Sequence, residues 1–222
     1  MMKFLKARQD MTMITMVGNL KGGSGKSTVA FNLAVWLASA GQAIELYDLD
    51  PQCTLGDVLQ VRKEEGFEPE LKVHRYLRPA QKVIDSNPNT EILIDVGTAN
   101  MAGMKRAITI ADRIIIPVPP SQADIWSTQR FLYLIASEKR EKPLKVIAFI
   151  NRADTHIAVH ESDEAETALH ALPGISILPL RLSQRISYRR SFSEGLAVFE
   201  LEPSGKASLE FQKFAKLLYP KL

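Results

Sequence analysis

The chain has 222 residues, 45% of them hydrophobic, enough to bury one α/β core, and no Gly/Ser/Pro-rich linker, repeat or low-complexity tract divides it. A net charge of +3 is too small to mark a nucleic-acid binder by composition, so the distribution of charge matters more than its sum. Cys53 is the single cysteine, which excludes an internal disulfide framework, suits a reducing cytosol and reads as a small packing residue rather than a redox centre.

Residues 1–10 carry Lys3, Lys6 and Arg8 around Phe4 and Leu5, an apolar run far too short for a signal peptide or membrane span. They are set apart as an N-terminal extension, disordered in expectation, with a basic arm, an upstream start and a cloning remnant as open readings. Residues 11–222 are read as one domain. Met13 to Val17 is a buried strand, and Ser27 to Ala40 a helix with Val29, Leu33, Trp36, Leu37 and Ala40 at helical spacing and Gly41 past its end. Between them lies Asn19-Leu20-Lys21-Gly22-Gly23-Ser24-Gly25-Lys26-Ser27-Thr28. Strand, glycine-rich turn and helix form the context of a phosphate-binding loop. Its glycines let backbone N–H groups close around an anion, and the helix N-terminus adds its own orphan donors. Lys26 reaches the terminal phosphates and the Ser27 hydroxyl sits on Mg²⁺. Gly22, Gly23, Ser24, Gly25, Lys26, Ser27 and Thr28 are therefore the candidate nucleotide-binding residues. Leu20 replaces the first glycine of the usual pattern, and a second lysine, Lys21, follows it.

Ala43 to Tyr47 is a short strand ending at Asp48, and Arg62 to Glu70 reads as a charged, solvated loop or helix end. Leu71 to Leu77 is expected as a strand and Pro79 to Ser86 as a short helix before the turn Asn87-Pro88-Asn89. Ile92 to Val96 and Ile114 to Val118 have the near-continuous apolar character of strands buried on both faces. A helix over about Ala123 to Glu138, a strand over Val146 to Ile150, a helix over Glu161 to Ala171 and a last strand over Ile175 to Leu178 follow. A tail helix over Lys206 to Leu218 places Leu209, Phe214, Leu217 and Leu218 in its apolar stripe. Alternating strands and helices predict an α/β fold, a doubly wound and mostly parallel sheet with helices on both faces. In such sheets ligands sit at the carboxyl ends of the strands, and Lys21, Asp48, Asp50, Asp95 and Asn151 all fall there.

Lys21-Gly22-Gly23-Ser24-Gly25-Lys26-Ser27 resembles the deviant Walker A motif of the ParA/MinD ATPases. Asp48-Leu49-Asp50-Pro51-Gln52 resembles that family's second acidic motif, and Ile92-Leu93-Ile94-Asp95 its Walker B strand. The resemblance runs from about Thr12 to the C-terminus and is nearest to the compact plasmid-partition ParA branch. It implies a P-loop NTPase fold, ATP hydrolysis with Mg²⁺, and a cytoplasmic, nucleoid-associated protein. It further implies an ATP-dependent sandwich homodimer that binds DNA without sequence preference and releases it on hydrolysis. An adaptor, a centromere-binding ParB-like protein, would stimulate that step.

Asp95 ends an apolar strand, where an unpaired carboxylate is costly, and a Mg²⁺ shared with Ser27 and phosphate oxygens would satisfy it; helix capping is the plainer reading. Asp48 and Asp50 alternate about the end of a strand, so only one can face a given spot. By resemblance Asp50 orients the attacking water beside the metal and Asp48 supports it. The same resemblance sends Lys21 across the dimer to the partner's phosphates, where it acts as a cation supplied in trans. Asn151-Arg152-Ala153-Asp154 is similar to a guanine-reading Asn-Lys-x-Asp run with arginine in place of lysine. The ParA/MinD resemblance instead makes Asn151 an adenine contact, and Asp154 keeps GTP open. Pro117-Val118-Pro119-Pro120-Ser121 resembles a turn bordering the base, or is a structural turn. The four histidines form no convincing metal set.

Arg181, Arg185, Arg189 and Arg190 form a basic patch, with Arg185 and Arg189 on one face of a helix beginning near Ser183. By resemblance these arginines contact DNA phosphates; a solvated face with an ion pair to Glu194 is the alternative. The tail helix reads as core cover in preference to a membrane-inserting helix of MinD type, and membrane is not expected among the partners. A membrane-cycling regulator and a metabolic P-loop ligase are the competing functions, the second lacking another set of convergent polar residues.

Overall fold

The computed structural model describes residues 12–78, 89–156 and 160–222. The N-terminal extension at residues 1–10 and the helix expected over Pro79 to Ser86 lie outside them. Strand β1 (Met13–Val17) occupies the middle of a parallel sheet ordered β3-β2-β4-β1-β5-β6-β7, with β2 (Ala43–Asp48), β3 (Val73–His74), β4 (Thr90–Asp95), β5 (Arg113–Val118), β6 (Lys145–Ala153) and β7 (Ser176–Ile177). A short strand β8 (Leu182–Ser183) pairs with the far end of β6. The chain winds from β1 to one edge, returns to place β4 between β2 and β1, and then winds to the other edge.

The doubly wound architecture follows from period-two alternation between two apolar faces. Ile14, Met16, Ile92, Ile94, Ile114 and Ile116 point to one face, into a core shared with helices α3 (Met101–Ile110), α4 (Gln122–Ser137) and α5 (Glu161–His170). Val17, Leu93, Ile115, Ile147 and Phe149 point to the other, against α1 (Lys26–Ser39), α2 (Thr54–Glu64) and the C-terminal helices α6 (Ile186–Ser193), α7 (Val198–Leu201) and α8 (Lys206–Leu218). At the amino ends of the strands a buried polar knot anchors the tail. Glu91 accepts from Thr15 at 2.6 Å and from Tyr219 at 2.6 Å, and Arg113 adds an ion pair at 3.2 Å.

Several expectations change. Helices α2 and α3 were not foreseen from the sequence: α2 has a weak apolar stripe with a glycine inside it, and α3 is only ten residues long. The strand expected over Leu71 to Leu77 shrinks to Val73–His74, an edge strand paired on one side to β2. In the tail helix Ala207, Phe211, Phe214, Ala215 and Leu218 form the buried stripe, while Leu209 and Leu217 face outward, because the stripe drifts with the 3.6-residue turn. The helix expected near Ser183 begins at Ile186, since β8 claims Leu182 and Ser183.

The stretch from Arg62 to Glu70 is a helix end and a largely exposed loop, as expected, and the correction concerns Arg62 alone. Arg62 lies on the buried face of α2 and is 1% exposed. Its guanidinium grips both oxygens of Glu200 at 2.8 and 2.9 Å and the carbonyls of Glu68, Pro69 and Gly195. A charge so enclosed is tolerable only when paired and fully hydrogen-bonded. Arg62→Ala therefore leaves Glu200 with only the Ala197 N–H and removes the guanidinium from three carbonyls, and chemical denaturation should show a loss of about 3–5 kcal/mol. A change within about 0.5 kcal/mol would restore the solvated-loop reading.

Candidate functional site

The loop between β1 and α1 is built for an anion. Gly23 and Gly25 have φ of +75° and +90°, a region that residues with a Cβ rarely enter. Gly25 has a second reason to be glycine: a Cβ there would lie 2.4 Å from Nδ2 of Asn151. As the residue preceding α1, Gly25 offers no side-chain cap, so the N–H groups of Lys26, Ser27 and Thr28 stay available to a ligand. The loop is pinned from outside. Asn19 donates to the carbonyl of Pro117 at 3.0 Å and accepts from Lys21 N and Ser127 Oγ, each at 3.2 Å. Asn151 Nδ2 donates to the Ser24 carbonyl at 2.7 Å, and Arg152 to the Gly23 carbonyl at 2.8 Å.

Lys26 is 7% exposed and its ammonium donates to the carbonyl of Lys21 at 3.0 Å. Burial pulls its pKa down, opposed by the nearby carboxylates of Asp95 and Asp50. Asp95 ends β4, level with Val17 on one neighbour and Asp48 on the other. Its side chain is 1% exposed, and neither oxygen accepts a hydrogen bond. Burial pushes this carboxyl up to about 7; the Ser27 hydroxyl lies near enough to oppose the shift without completing a bond.

The other two acids differ from it. Asp48 uses both oxygens on backbone: Oδ1 accepts from Asp50 N and Oδ2 from Gly56 N, each at 3.0 Å. The second bond caps the first turn of α2 from eight residues away, where Cys53, at φ +63°, supplies no cap of its own. Asp50 accepts from Gln52 N at 2.9 Å and lies against Gly97, where a Cβ would come within 2.2 Å of its carboxyl carbon. Gly97 is thus a site residue that sequence reasoning missed; a glycine two positions beyond Asp95 was the available signal.

Among the described residues no group of three or more His, Cys, Asp or Glu side chains can hold a metal ion by itself. The donors at hand are the Ser27 hydroxyl, the orphaned Asp95 carboxylate and Asp50 beside it. Such a sparse set of oxygens fits Mg²⁺, which keeps several waters and takes the rest of its shell from phosphate.

Lys21 turns to its own chain. Its ammonium meets Asp124 at 2.7 Å, in the first turn of α4, where the carboxylate is 4% exposed and also contacts the Ser121 hydroxyl. Asp124 is a second residue that the sequence reading passed over. The turn over Pro117 to Ser121 is structural at both ends: Pro117 receives Asn19, and Ser121 caps α4.

A cleft of about 720 Å³ runs from Gly22, Gly23, Gly25, Lys26 and Asp50 past Asn151 and Arg152 to Gln184, Tyr188 and Phe192. Arg185 and Arg189 line its far wall. The four arginines differ in their partners. Arg181 binds Glu166 and, at 2.7 Å, Asp163. Arg185, which precedes α6 instead of lying within it, binds Glu210 at 2.6 Å. Arg190 stands 3.9 Å from Glu194 and 3.7 Å from Glu202, and Arg189 is exposed with no ion pair among the described residues.

The model of the CobQ/CobB/MinD/ParA nucleotide binding domain matches residues 15–198. The maintenance of carboxysome distribution protein A of Halothiobacillus neapolitanus is 28% identical over 198 residues, covering 87% of this chain and 90% of its own. A candidate plasmid partition protein of Borrelia burgdorferi, solved with AMPPNP, superposes with a TM-score of 0.73 at 17% identity, over 95% of this chain and 100% of that one. The septum site-determining protein MinD of Pyrococcus horikoshii, complexed with Mg-ADP, gives a TM-score of 0.69 at 18% identity, over 94% and 96%.

The state of Asp95 has a pH signature. Its folded pKa of about 7 lies above its ordinary 3.8, so folding favours the protonated form. That contribution is complete below about pH 4 and disappears as pH rises through about 7. Denaturant unfolding of the ligand-free protein should show stability falling across this window, and Asp95→Asn should remove the slope. Divalent-cation affinity should run the other way, rising towards pH 7 as the carboxylate ionises.

Proposed function

Because the chain belongs to the CobQ/CobB/MinD/ParA nucleotide-binding family, a member with a ParA/MinD-type core, we propose that it is an ATPase that segregates DNA or positions a cellular cargo. The observation that carries this reading is the orphaned carboxylate of Asp95, within reach of Lys26 and Ser27 at the end of the phosphate loop. The N–H groups of residues 22–28 cradle the phosphates, and Lys26 neutralises their charge. Ser27 and Asp95 hold Mg²⁺, with Asp50 beside them. When bound, the ion neutralises charge that develops on the phosphoryl oxygens. Asp50, steadied by Gln52 N and Gly97, orients the attacking water, and Asp48 holds the turn that presents it.

ATP closes a homodimer, and Lys21 leaves Asp124 to reach the partner's phosphates, so hydrolysis waits on assembly. The dimer binds DNA without sequence preference, and a ParB-like adaptor stimulates release. The names of relatives concerned with carboxysome distribution and plasmid partition support a positioning role. Arg189 and Arg190 are the arginines exposed for phosphate contact, while Arg181 and Arg185 stay with their carboxylates. The tail helix commits Phe211, Phe214 and Leu218 to the core, which favours DNA over membrane as the surface bound. No helix among the described residues is long and apolar enough to cross a membrane.

Calorimetric titration should show no useful ATP binding by Lys26→Ala. Unchanged affinity would remove the nucleotide reading. Asp50→Ala should bind ATP and hydrolyse it on the order of 10²–10³ more slowly, accumulating as an ATP-bound dimer in sedimentation.

For DNA, the measurement is affinity across a salt series with ATP present. Removing one arginine that touches a phosphate should reduce the slope of log K against log salt by about 0.9, so Arg189→Ala with Arg190→Ala should flatten it by roughly two. A wild-type slope in the double variant would place DNA elsewhere.

A further inference from the structure

A phosphate loop works by turning backbone N–H groups inward, and the same peptide planes turn carbonyls outward. Those carbonyls need partners of their own when they are buried. Ser24 is fully buried, and its carbonyl receives Asn151 Nδ2 at 2.7 Å; the Gly23 carbonyl receives Arg152 at 2.8 Å.

The two donors are consecutive residues near the end of β6. In a regular strand they would point to opposite faces, and only one could meet the loop. The strand breaks its own regularity at this point. Its register against β8 shifts between Asn151 and Ala153, and Arg152 takes φ of +57°, a left-handed conformation that a residue with a Cβ seldom adopts. Such strain persists where the surroundings over-determine it, commonly beside a functional site. Its effect here is to deliver both side chains to adjacent carbonyls of one loop.

We propose that Asn151 and Arg152 are positioning residues that hold the phosphate loop in its binding shape before a nucleotide arrives, so that affinity for phosphate itself, and not contact with a base alone, depends on them. The inference rests on the nucleotide-binding reading above and adds a bracing role to the adenine contact expected of Asn151. One N–H of its amide is committed to the Ser24 carbonyl, in contact close enough to exclude a Cβ on Gly25, which leaves its second N–H and its Oδ1 for a base.

The test compares three probes in the presence of Mg²⁺: ATP, inosine triphosphate, which lacks the adenine amino group, and tripolyphosphate, which lacks a base altogether. Asn151→Asp keeps the size of the side chain and replaces the donor with an acceptor, and Asn151→Ala, which removes the donor without adding charge, separates that loss from repulsion of the phosphates. Each variant's dissociation constant for tripolyphosphate should rise about three- to tenfold for the loss of a single hydrogen bond, and those for ATP and inosine triphosphate by at least as much. Arg152→Gly should behave likewise, and Arg152→Lys, which keeps a donor and its charge, should recover part of the loss. Hydrogen exchange of the amides in residues 19–28 of the nucleotide-free protein should quicken in Asn151→Asp and Arg152→Gly while the sheet stays protected. An Asn151→Asp protein that loses ATP but binds tripolyphosphate like wild type is a base reader, and the inference falls. Unchanged exchange in both variants overturns it as well. Failure of the wild type to bind either ATP or tripolyphosphate would instead overturn the nucleotide reading, and the exchange measurement would still decide the clamp.

Discussion

A carboxylate placed at the end of a strand that is covered on both faces loses its water and must be compensated by a proton, a cation or a set of donors. Asp95 is in that position with neither oxygen bonded, and burial brings its pKa to about 7. Everything around it answers the same demand. Lys26 is buried within its field, the Ser27 hydroxyl lies near it, and the loop ahead of α1 leaves backbone donors pointing into a cleft. Sheet register decides that these groups share one level: Val17, Asp95 and Asp48 are direct neighbours across β1, β4 and β2.

Hydrogen bonds then assign different work to residues of the same chemical type. Of three aspartates, Asp48 is committed to backbone on both oxygens, Asp50 is steadied through one, and Asp95 has no hydrogen-bond partner among the described residues. Of the cations, Lys26 faces the acids, Lys21 is held by Asp124, and Arg152 braces the loop from outside. A site of this kind is preorganised, with its charged groups already oriented before a ligand arrives.

The site is also joined to the rest of the molecule by a packed strut. Helix α2 begins beside the Asp50 turn, where Asp48 caps it, and carries Arg62 in its last turn. Arg62 holds Glu200 of α7 and the carbonyl of Gly195, just past α6, the helix that carries Arg189 and Arg190. A Cβ on Gly195 would lie 2.6 Å from the backbone of Arg62, so the two segments meet at backbone contact.

The phosphate loop, the central strands and the acids at their ends were legible in the sequence because each rests on local chemistry. Glycines with a lysine and a hydroxyl after a strand form a short-range pattern, and strands buried on both faces read as continuous apolar runs. The family resemblance was legible for the same reason and agrees with the domain match over residues 15–198. What the chain order could not express was partnership at a distance. Arg62 lies in a run of charges, and only Glu200, 138 positions away, turns it into a core residue. Arg181 and Arg185 sit in a basic patch along the chain and become paired once Glu166 and Glu210 fold against them. Lys21 finds Asp124 and Asn151 finds Ser24 across more than a hundred residues. A charge or an amide declares its type in the sequence; its role is set by which opposite charge, carbonyl or cleft the tertiary structure brings within about 3 Å of it.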